Sequence, residues 1–261
     1  HLSYMGGDYN KALQNMIESL EFRKEKQLDL FRKCFSSQFE ITEEEQARAK
    51  EMMELVRADM ARQYTVMRGH DNQHRSIMFK FPRVKTGATE DSYILSQVYM
   101  AERSTAATEF CSLGTQERSI AVYDFNGFDS SNAPPFQMQL NAATLLQKTF
   151  PERLGVVVMI EPPFWLRGLF NMISPFLSTT ISERVKWAAG LEEKDAVFGP
   201  MMDAKHATPL LLSAGKLDTP VSLDHFLEDV PFYCLYDDVK CERSIEVEEQ
   251  KLHQVSVTPP E

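Results

Sequence analysis

Apolar side chains recur every three or four residues in the first quarter of the chain, at Leu13, Met16, Ile17 and Leu20. This spacing predicts one helix, or two, over residues 8–33. Thr42 followed three residues later by Glu45 forms a capping box, in which each side chain satisfies a backbone N–H of the other residue. We therefore expect a further helix from Thr42 to about Tyr64, with an apolar stripe on one face.

After Gly69 the pattern changes, and short apolar runs alternate with helical stretches. Strands are predicted at 77–81, 119–125 and 155–160, and helices at 90–110, 134–149 and 163–173. The run 155–160 is β-branched and apolar on both faces, which is typical of an interior strand of a parallel sheet. Strands and helices in close succession imply parallel pairing through right-handed crossovers. The chain is therefore predicted to be an α/β protein behind a helical N-terminal module.

Composition and charge narrow the possible partners. The 28 Lys and Arg residues against 38 Asp and Glu give a net charge of −10, which argues against nucleic-acid binding. No run of about 18 apolar residues exists, so we expect no membrane-spanning segment. The four cysteines are scattered without a CxxC pair, which favours a reducing, cytoplasmic compartment over a disulfide framework.

Familiar catalytic and cofactor motifs are missing from the sequence. No GxGxxG fingerprint, P-loop or GxSxG elbow follows a predicted strand. His70 and His74 have a spacing that suits metal binding, but the neighbouring Gly69, Asp71 and Asn72 favour a polar turn, and no third ligand accompanies them. We therefore expect no metal, no cofactor and no enzymatic activity; an α/β enzyme would need a catalytic constellation that the chain does not display.

Residues 161–190 are unusual because a helix that is apolar on most sides precedes a second helix start. The apolar positions of helix 163–173 are Phe164, Trp165, Leu166, Leu169, Phe170, Met172 and Ile173. Such a helix is either buried in the core or faces something other than water on two sides, as a lid over a bound lipid would. Thr180 with Glu183 forms a second capping box, and with Arg184 nearby this helix start suits a phosphate; capping alone is the simpler alternative.

Several segments together resemble the CRAL-TRIO lipid-binding family, of the type that includes phosphatidylinositol/phosphatidylcholine transfer proteins. The segment 150–155 (Phe-Pro-Glu-Arg-Leu-Gly) precedes an apolar strand, a proline-led helix and the Pro-Phe-Leu of 175–177. The Tyr-Asp-Phe-Asn-Gly of 123–127 is similar to the family's strand ending in Asp-x-x-Gly. Residues 8–13 and 21–24 resemble its N-terminal helical module. The resemblance covers residues 8 to about 190.

The resemblance implies a CRAL-TRIO fold, with a mainly parallel sheet flanked by helices and a mobile gate helix over a lipid cavity. Three parts are expected: a helical N-terminal module at 1–66, the lipid-binding domain at 67–240 and a C-terminal tail at 241–261. Because His1 is not an initiating methionine, the first module is expected to be truncated at its start.

The resemblance also assigns site residues. For the cavity and gate these are Tyr123, Phe125, Val158, Ile160, Phe164, Trp165, Leu166, Leu169, Phe170, Ile173, Phe176, Leu177 and Ile181. For the lipid headgroup they are Glu152, Arg184, Thr180 and Ser119. Glu152 matches the family's glutamate in Pro-Glu-Arg, Arg184 stands where the family has a lysine, and Ile181 replaces a family threonine.

The function that the resemblance implies is lipid binding and transfer between membranes, with one phospholipid held in a closed cavity. Phosphatidylinositol and phosphatidylcholine are the expected ligands. A tocopherol- or retinoid-like ligand is one alternative, and a lipid-sensing interaction module of a larger signalling protein is another. The expected partners are the lipid and a transiently contacted membrane surface, with peripheral association from the cytoplasm; no protein partner can be assigned.

Overall fold

The computed structural model describes residues 7–35, 40–62, 64–85, 89–173, 183–202 and residue 227. The helices are α1 (Tyr9–Glu25), α2 (Leu30–Cys34), α3 (Glu43–Met60), α4 (Glu90–Cys111), α5 (Phe136–Thr149), α6 (Phe164–Ile173) and α7 (Gly190–Phe198). The strands are β1 (Thr65–His70), β2 (Ser76–Lys80), β3 (Ser119–Asp124), β4 (Leu154–Ile160) and β5 (Val185–Ala188). A short 3₁₀ turn, Ser130–Asn132, lies between β3 and α5.

Local signals define the N-terminal helices. The backbone N–H of Lys11 donates to the Asp8 side chain at 3.1 Å, so Asp8 caps α1. The stretch 8–33 forms two helices, because the chain turns through residue 27 in a left-handed conformation. The predicted capping box is present at the start of α3, where the Thr42 N–H donates to Glu45 at 3.1 Å.

The five strands form one sheet in the order β1-β2-β3-β4-β5. β1 runs antiparallel to β2, and the other neighbours are parallel. The prediction of an α/β fold with a mainly parallel sheet flanked by helices is therefore confirmed. The pairing of β3 with β4 contains a bulge: Ser119 lies opposite Leu154 and Ile120 opposite Val156, which leaves Gly155 as the extra residue.

Two strands were not predicted. β1 begins at Thr65, so Thr65 and Val66 lie in the sheet rather than in the predicted helical module. β5 occupies residues where a helix beginning at Thr180 was expected to continue; Glu183 is helical, but the chain is extended from Val185. The predicted division of the chain at 67 and at 240 stays a prediction, and the tail 241–261 lies outside the described residues.

Side chains alternate between the two faces of the sheet, and one face belongs to the main core. Val158 and Ile160 lie on this core face and are essentially inaccessible to solvent, together with Ile120 and Val122 of β3. The prediction that Val158 and Ile160 line the cavity is therefore wrong, because these side chains lie on the opposite face of β4. Their neighbours Val157 and Met159 point to the cavity instead.

A turn at the end of β3 is held by one buried carboxylate. Asp124 accepts a hydrogen bond from the backbone N–H of Asn126 at 2.9 Å and pairs with Arg83 at 2.8 Å. Gly127 completes the turn with a φ of +70°, a conformation that favours glycine. The Asp-x-x-Gly pattern thus positions Phe125 and Phe128 at the rim of the cavity.

Candidate functional site

A cavity of about 540 Å³ lies over the second face of the sheet. Its floor is two rows of side chains that cross four strands in register: Met78, Ala121, Val157 and Val185 in one row, and Lys80, Tyr123, Met159 and Trp187 in the other. The volume lies within the range of roughly 300–1,000 Å³ found for small-molecule sites. The rows are apolar except at one end, where Lys80 and Tyr123 stand side by side.

Helices supply the walls of the cavity. α5 contributes Ala143 and Leu146, and α4 contributes Ala101 and Thr105. The gate residues that line the cavity are Trp165, Leu166, Leu169 and Phe170, all on α6. The structure thus brings these four predicted gate residues together with Tyr123 and Phe125 around one space. Phe176, Leu177, Thr180 and Ile181 lie outside the described residues, and Ile173 is described only as the last residue of α6.

The gate helix α6 has two apolar sides that face different surroundings. Its inner side packs on the aromatic lining: Trp165 lies 6.2 Å from Phe128 and Phe170 lies 5.6 Å from Trp187, between ring centroids. Its outer side exposes Phe164, at 94% of its area, and Met172, at 68%. The structure therefore excludes a fully buried core helix, and Phe164, predicted to line the cavity, points away from it.

Ion pairs connect the gate region to α7. Arg167 of α6 pairs with Glu193 at 3.1 Å, and its guanidinium lies 5.2 Å from the centre of the Trp187 ring. At the end of β4, Glu161 accepts from Lys194 at 2.5 Å, and this contact lowers the pKa of the Glu161 carboxyl. Both pairs are partly exposed, so each contributes about 0–1 kcal/mol to stability.

The predicted headgroup residues Glu152 and Arg184 meet at the opposite end of the cavity, where β4 and β5 begin. Glu152 accepts from Arg184 at 2.5 Å and from Arg118 at 2.8 Å. Arg184 also donates to the carbonyl of Leu154 at 2.7 Å. Because one carboxylate is shared by two guanidinium groups, this cluster carries one excess positive charge.

Ser119, which was predicted to contact the headgroup, lines the cavity near this cluster, and its hydroxyl donates to the backbone carbonyl of Arg153 at 3.3 Å. A second, polar pocket of about 490 Å³ adjoins the cavity and shares Glu152 and Arg153 with it. Arg153 itself pairs with Glu109 at 2.8 Å. The cavity thus has an apolar middle and a polar end that continues into this second pocket.

Several cavity residues were not predicted: Met78, Lys80, Ala121, Ala143, Leu146, Val157, Met159, Val185 and Trp187. Ala121 on β3 could have been found from strand alternation, because it lies two residues from Tyr123, whereas Met78 and Lys80 on β2 depend on the register between the two strands. Those on β4 could not, since an all-apolar strand does not show which residues face which side. Val185 and Trp187 were missed because β5 itself was missed.

The segment around His70 and His74 is a turn, as predicted. The Asp71 carboxylate organises it by accepting from the backbone of Gln73 at 3.0 Å and from the Arg75 side chain at 2.7 Å. In the described ranges no group of three or more His, Cys, Asp or Glu residues could hold a metal ion. Nor does that part of the chain contain a helix long and apolar enough to cross a membrane.

The family model of the CRAL/TRIO domain matches residues 61–197, which is more than half of the chain. The chain belongs to the CRAL/TRIO domain family. The match runs from the end of α3 through β1 to α7, and it therefore includes every described element that contributes to the cavity floor. It confirms the family that the Pro-Glu-Arg and Asp-x-x-Gly segments indicated.

Curated relatives of this CRAL/TRIO chain are distant and longer than it is. The phosphatidylinositol transfer protein PDR17 of Saccharomyces cerevisiae is 26% identical over 155 residues, 54% of this chain and 42% of that protein. Rho GTPase-activating protein 68F of Drosophila melanogaster is 26% identical over 80 residues, 31% of this chain and 17% of that protein. The chain thus spans less than half the length of these relatives.

A further relative and a solved structure agree with the fold. A CRAL-TRIO domain-containing protein of Schizosaccharomyces pombe is 24% identical over 127 residues, 49% of this chain and 12% of that protein. The crystal structure of Sfh5 superimposes with a TM-score of 0.50 at 13% identity, over 72% of this chain and 63% of that one. At this identity the superposition supports the architecture alone.

Proposed function

We propose that this CRAL/TRIO chain binds one lipid in its cavity and exchanges it with membranes, by binding and release rather than by catalysis. The proposal rests on the different surroundings of the two sides of α6. The inner side closes an apolar cavity, and the outer side exposes Phe164 and Met172. No cofactor other than the bound lipid is required.

The energetics favour such an arrangement. Moving an acyl chain from an apolar environment into water costs roughly 0.8 kcal/mol of free energy for each methylene. A carrier must therefore replace the bilayer interior with a closed apolar space before the lipid leaves. The sheet floor and the inner side of α6 offer that space, while the apolar outer side of α6 suits a transient contact with the membrane surface.

The proposed ligand is a phospholipid, with phosphatidylinositol and phosphatidylcholine as first candidates. The excess positive charge at Glu152, Arg118 and Arg184 suits a phosphate group. PDR17, one of the relatives, is by name a phosphatidylinositol transfer protein. The headgroup would lie at this polar end, and the acyl chains along the floor. Peripheral membrane association from the cytoplasm is part of the same proposal.

Native mass spectrometry of the purified chain tests this function directly. We expect a protein species with one bound phospholipid and transfer of labelled lipid between vesicles above the spontaneous rate. A bound mass that matches a tocopherol- or retinoid-like molecule would assign the cavity to that ligand class instead. Protein that carries no lipid and transfers none would refute the proposal.

Arg184→Ala is expected to weaken binding of a phosphorylated lipid by about tenfold or more, because it removes a charge-assisted donor and half of the Glu152 cluster. Binding of diacylglycerol, which lacks the phosphate, should change little. The measurement is competition against a fluorescent lipid. Arg48→Ala, in an ion pair on α3 outside the cavity lining, is the control. Equal losses for both lipids would mean that Arg184 only supports the fold.

A second candidate is a lipid-sensing module of a larger signalling protein. The match to Rho GTPase-activating protein 68F over 80 residues favours it, since this segment is 17% of that protein. Lipid binding without transfer between vesicles would point to this role. The two candidates share the cavity and differ in whether the lipid is released.

A further inference from the structure

The cavity floor contains a buried lysine that the proposed headgroup site does not use. Lys80 lies at the end of β2 and lines the cavity, yet only 6% of its surface is exposed. Its ammonium donates to the side-chain oxygen of Gln97 at 2.5 Å and lies 5.4 Å from the centre of the Tyr123 ring. An ammonium has three N–H donors, and Gln97 is its only hydrogen-bond partner among the described residues.

The network around Lys80 contains one buried carboxylate, that of Asp59. Gln97 leads through Ser96 to the carboxylate of Asp59, which Ser96 contacts by its hydroxyl. Burial raises the pKa of Asp59, and the positive charge of Lys80 acts in the opposite direction. No ion pair joins Asp59 and Lys80 directly in the described part of the chain. The hydrogen-bond partner of the ammonium is therefore a neutral amide, and Asp59 interacts with Lys80 only through space.

Phenol groups extend this donor-rich end of the cavity. Tyr64 and Tyr123 line the cavity, and Tyr93 lies behind Tyr64 with its ring centre 6.4 Å away. Burial raises the pKa of Tyr64 and of Tyr93, so both phenols keep their protons at neutral pH. Lysine donates only, and a protonated phenol donates readily. The Tyr64 hydroxyl is hydrogen-bonded to Tyr93, so Lys80 and Tyr123 are the donors offered to a ligand, and they suit an acceptor that carries a negative charge.

This end is separate from the Glu152 and Arg184 cluster. Tyr123 lies beside Lys80 in the register, whereas Ser119 lies four residues earlier on the same strand, beside the start of β4. Four residues of strand span about 13 Å. One headgroup cannot occupy both ends. The arrangement fits a ligand whose apolar chain runs along the floor and whose polar end reaches inward to Lys80.

We propose that Lys80, with Tyr123, forms a second recognition site inside the cavity, which binds the carboxylate of a single-chain, fatty-acid-like amphiphile. A single buried ammonium matches a compact monoanion such as a carboxylate, whereas the phosphodiester of a phospholipid, which also carries one negative charge, is proposed to bind the two arginines at the other end. The inference rests on the proposed lipid-binding function and adds a ligand class to it.

The test compares oleate with methyl oleate, which has the same chain without the charge. Affinities of the full chain are measured by displacement of a fluorescent lipid at pH 8. Lys80→Met should weaken oleate binding at least about tenfold and leave methyl oleate within about twofold. Lys80→Gln, which keeps a polar side chain beside Gln97, should do the same if the methionine variant folds poorly. Lys50→Gln, at an exposed lysine of α3 outside the cavity lining, is the neutral control.

The outcomes separate this inference from the lipid-binding function. If Lys80→Gln weakens oleate and methyl oleate equally, the lysine has only a structural role and the inference is refuted. If Arg184→Ala removes oleate binding while Lys80→Gln does not, the carboxylate sits at the other end and the inference is again refuted. If the wild-type chain binds neither probe and no phospholipid, the lipid-binding function itself has failed.

Discussion

Leu169→Asp is expected to abolish lipid loading. Leu169 faces the cavity from α6, so the substitution places a carboxylate against an apolar lining. Burying an unpaired carboxylate costs several kcal/mol, and the helix or the lipid must move away to avoid it. The measurement is the bound lipid in native mass spectra and the transfer rate between vesicles. Far-UV circular dichroism should show that the overall helix content is retained.

Phe164→Asp is the matched control for this experiment. It places the same charge on the same helix, but at a side chain that is 94% exposed and outside the cavity lining. Lipid supplied from detergent should still load, while exchange with vesicles should slow because the apolar outer side is interrupted. Normal loading and transfer by Leu169→Asp would contradict the assignment of α6 as the gate.

Ile160→Ala is expected to lower the free energy of unfolding by roughly 2–5 kcal/mol, because it leaves a cavity in a fully packed core. Met159→Ala, one residue earlier on β4, removes a side chain that faces the lipid cavity. In lipid-free protein, Met159→Ala should lower the free energy of unfolding by less than Ile160→Ala does. Its main effect should be weaker lipid binding. Urea unfolding of delipidated protein and lipid competition measure the two effects. If Ile160→Ala mainly weakened lipid binding and Met159→Ala mainly lowered the free energy of unfolding, the two residues would have been assigned to the wrong faces of β4.

The helical part of the fold could be predicted closely from the sequence. A capping box at Thr42 and Glu45 and regular apolar spacing define α3, because these signals are local and act through the backbone of one turn. The β-branched run of β4 likewise identified an interior strand, because that signal comes from residues adjacent in sequence. The Pro-Glu-Arg segment located Glu152, and the position of a family lysine located Arg184; the structure joins the two side chains at 2.5 Å.

The missing strands and the strand phase depend on contacts that are distant in sequence. β5 has four residues, and β1 contains Arg68 and Gly69, so neither shows a clear alternation. Both become strands through pairing with a neighbour. The phase of Val158 and Ile160 was misassigned because β4 is apolar on both faces, and only the tertiary packing shows which face meets the core.

Lys80 illustrates a further limit of sequence analysis. A lysine between Phe79 and Phe81 in a short strand has the pattern of a side chain directed to solvent. The structure instead covers it with α4, whose Gln97 accepts its hydrogen bond. Tertiary context thus turned an apparently exposed charge into a buried one, and buried charges are retained mainly where they have partners or roles.

The bulge at Gly155 has a consequence for how this domain can diversify. A Cβ at this position would lie 3.0 Å from the Cβ of Arg118 and 3.2 Å from the carbonyl oxygen of Ser119, so glycine permits the close approach of the two strands. In a regular ladder, a slip of one residue would turn every following side chain to the other face. At this bulge, Gly155 is the extra residue that shifts the register of β4 by one residue relative to β3. Any side chain at Gly155 would push β3 and β4 apart where the charged cluster adjoins the floor, so variation among related domains is expected at other floor positions before this one.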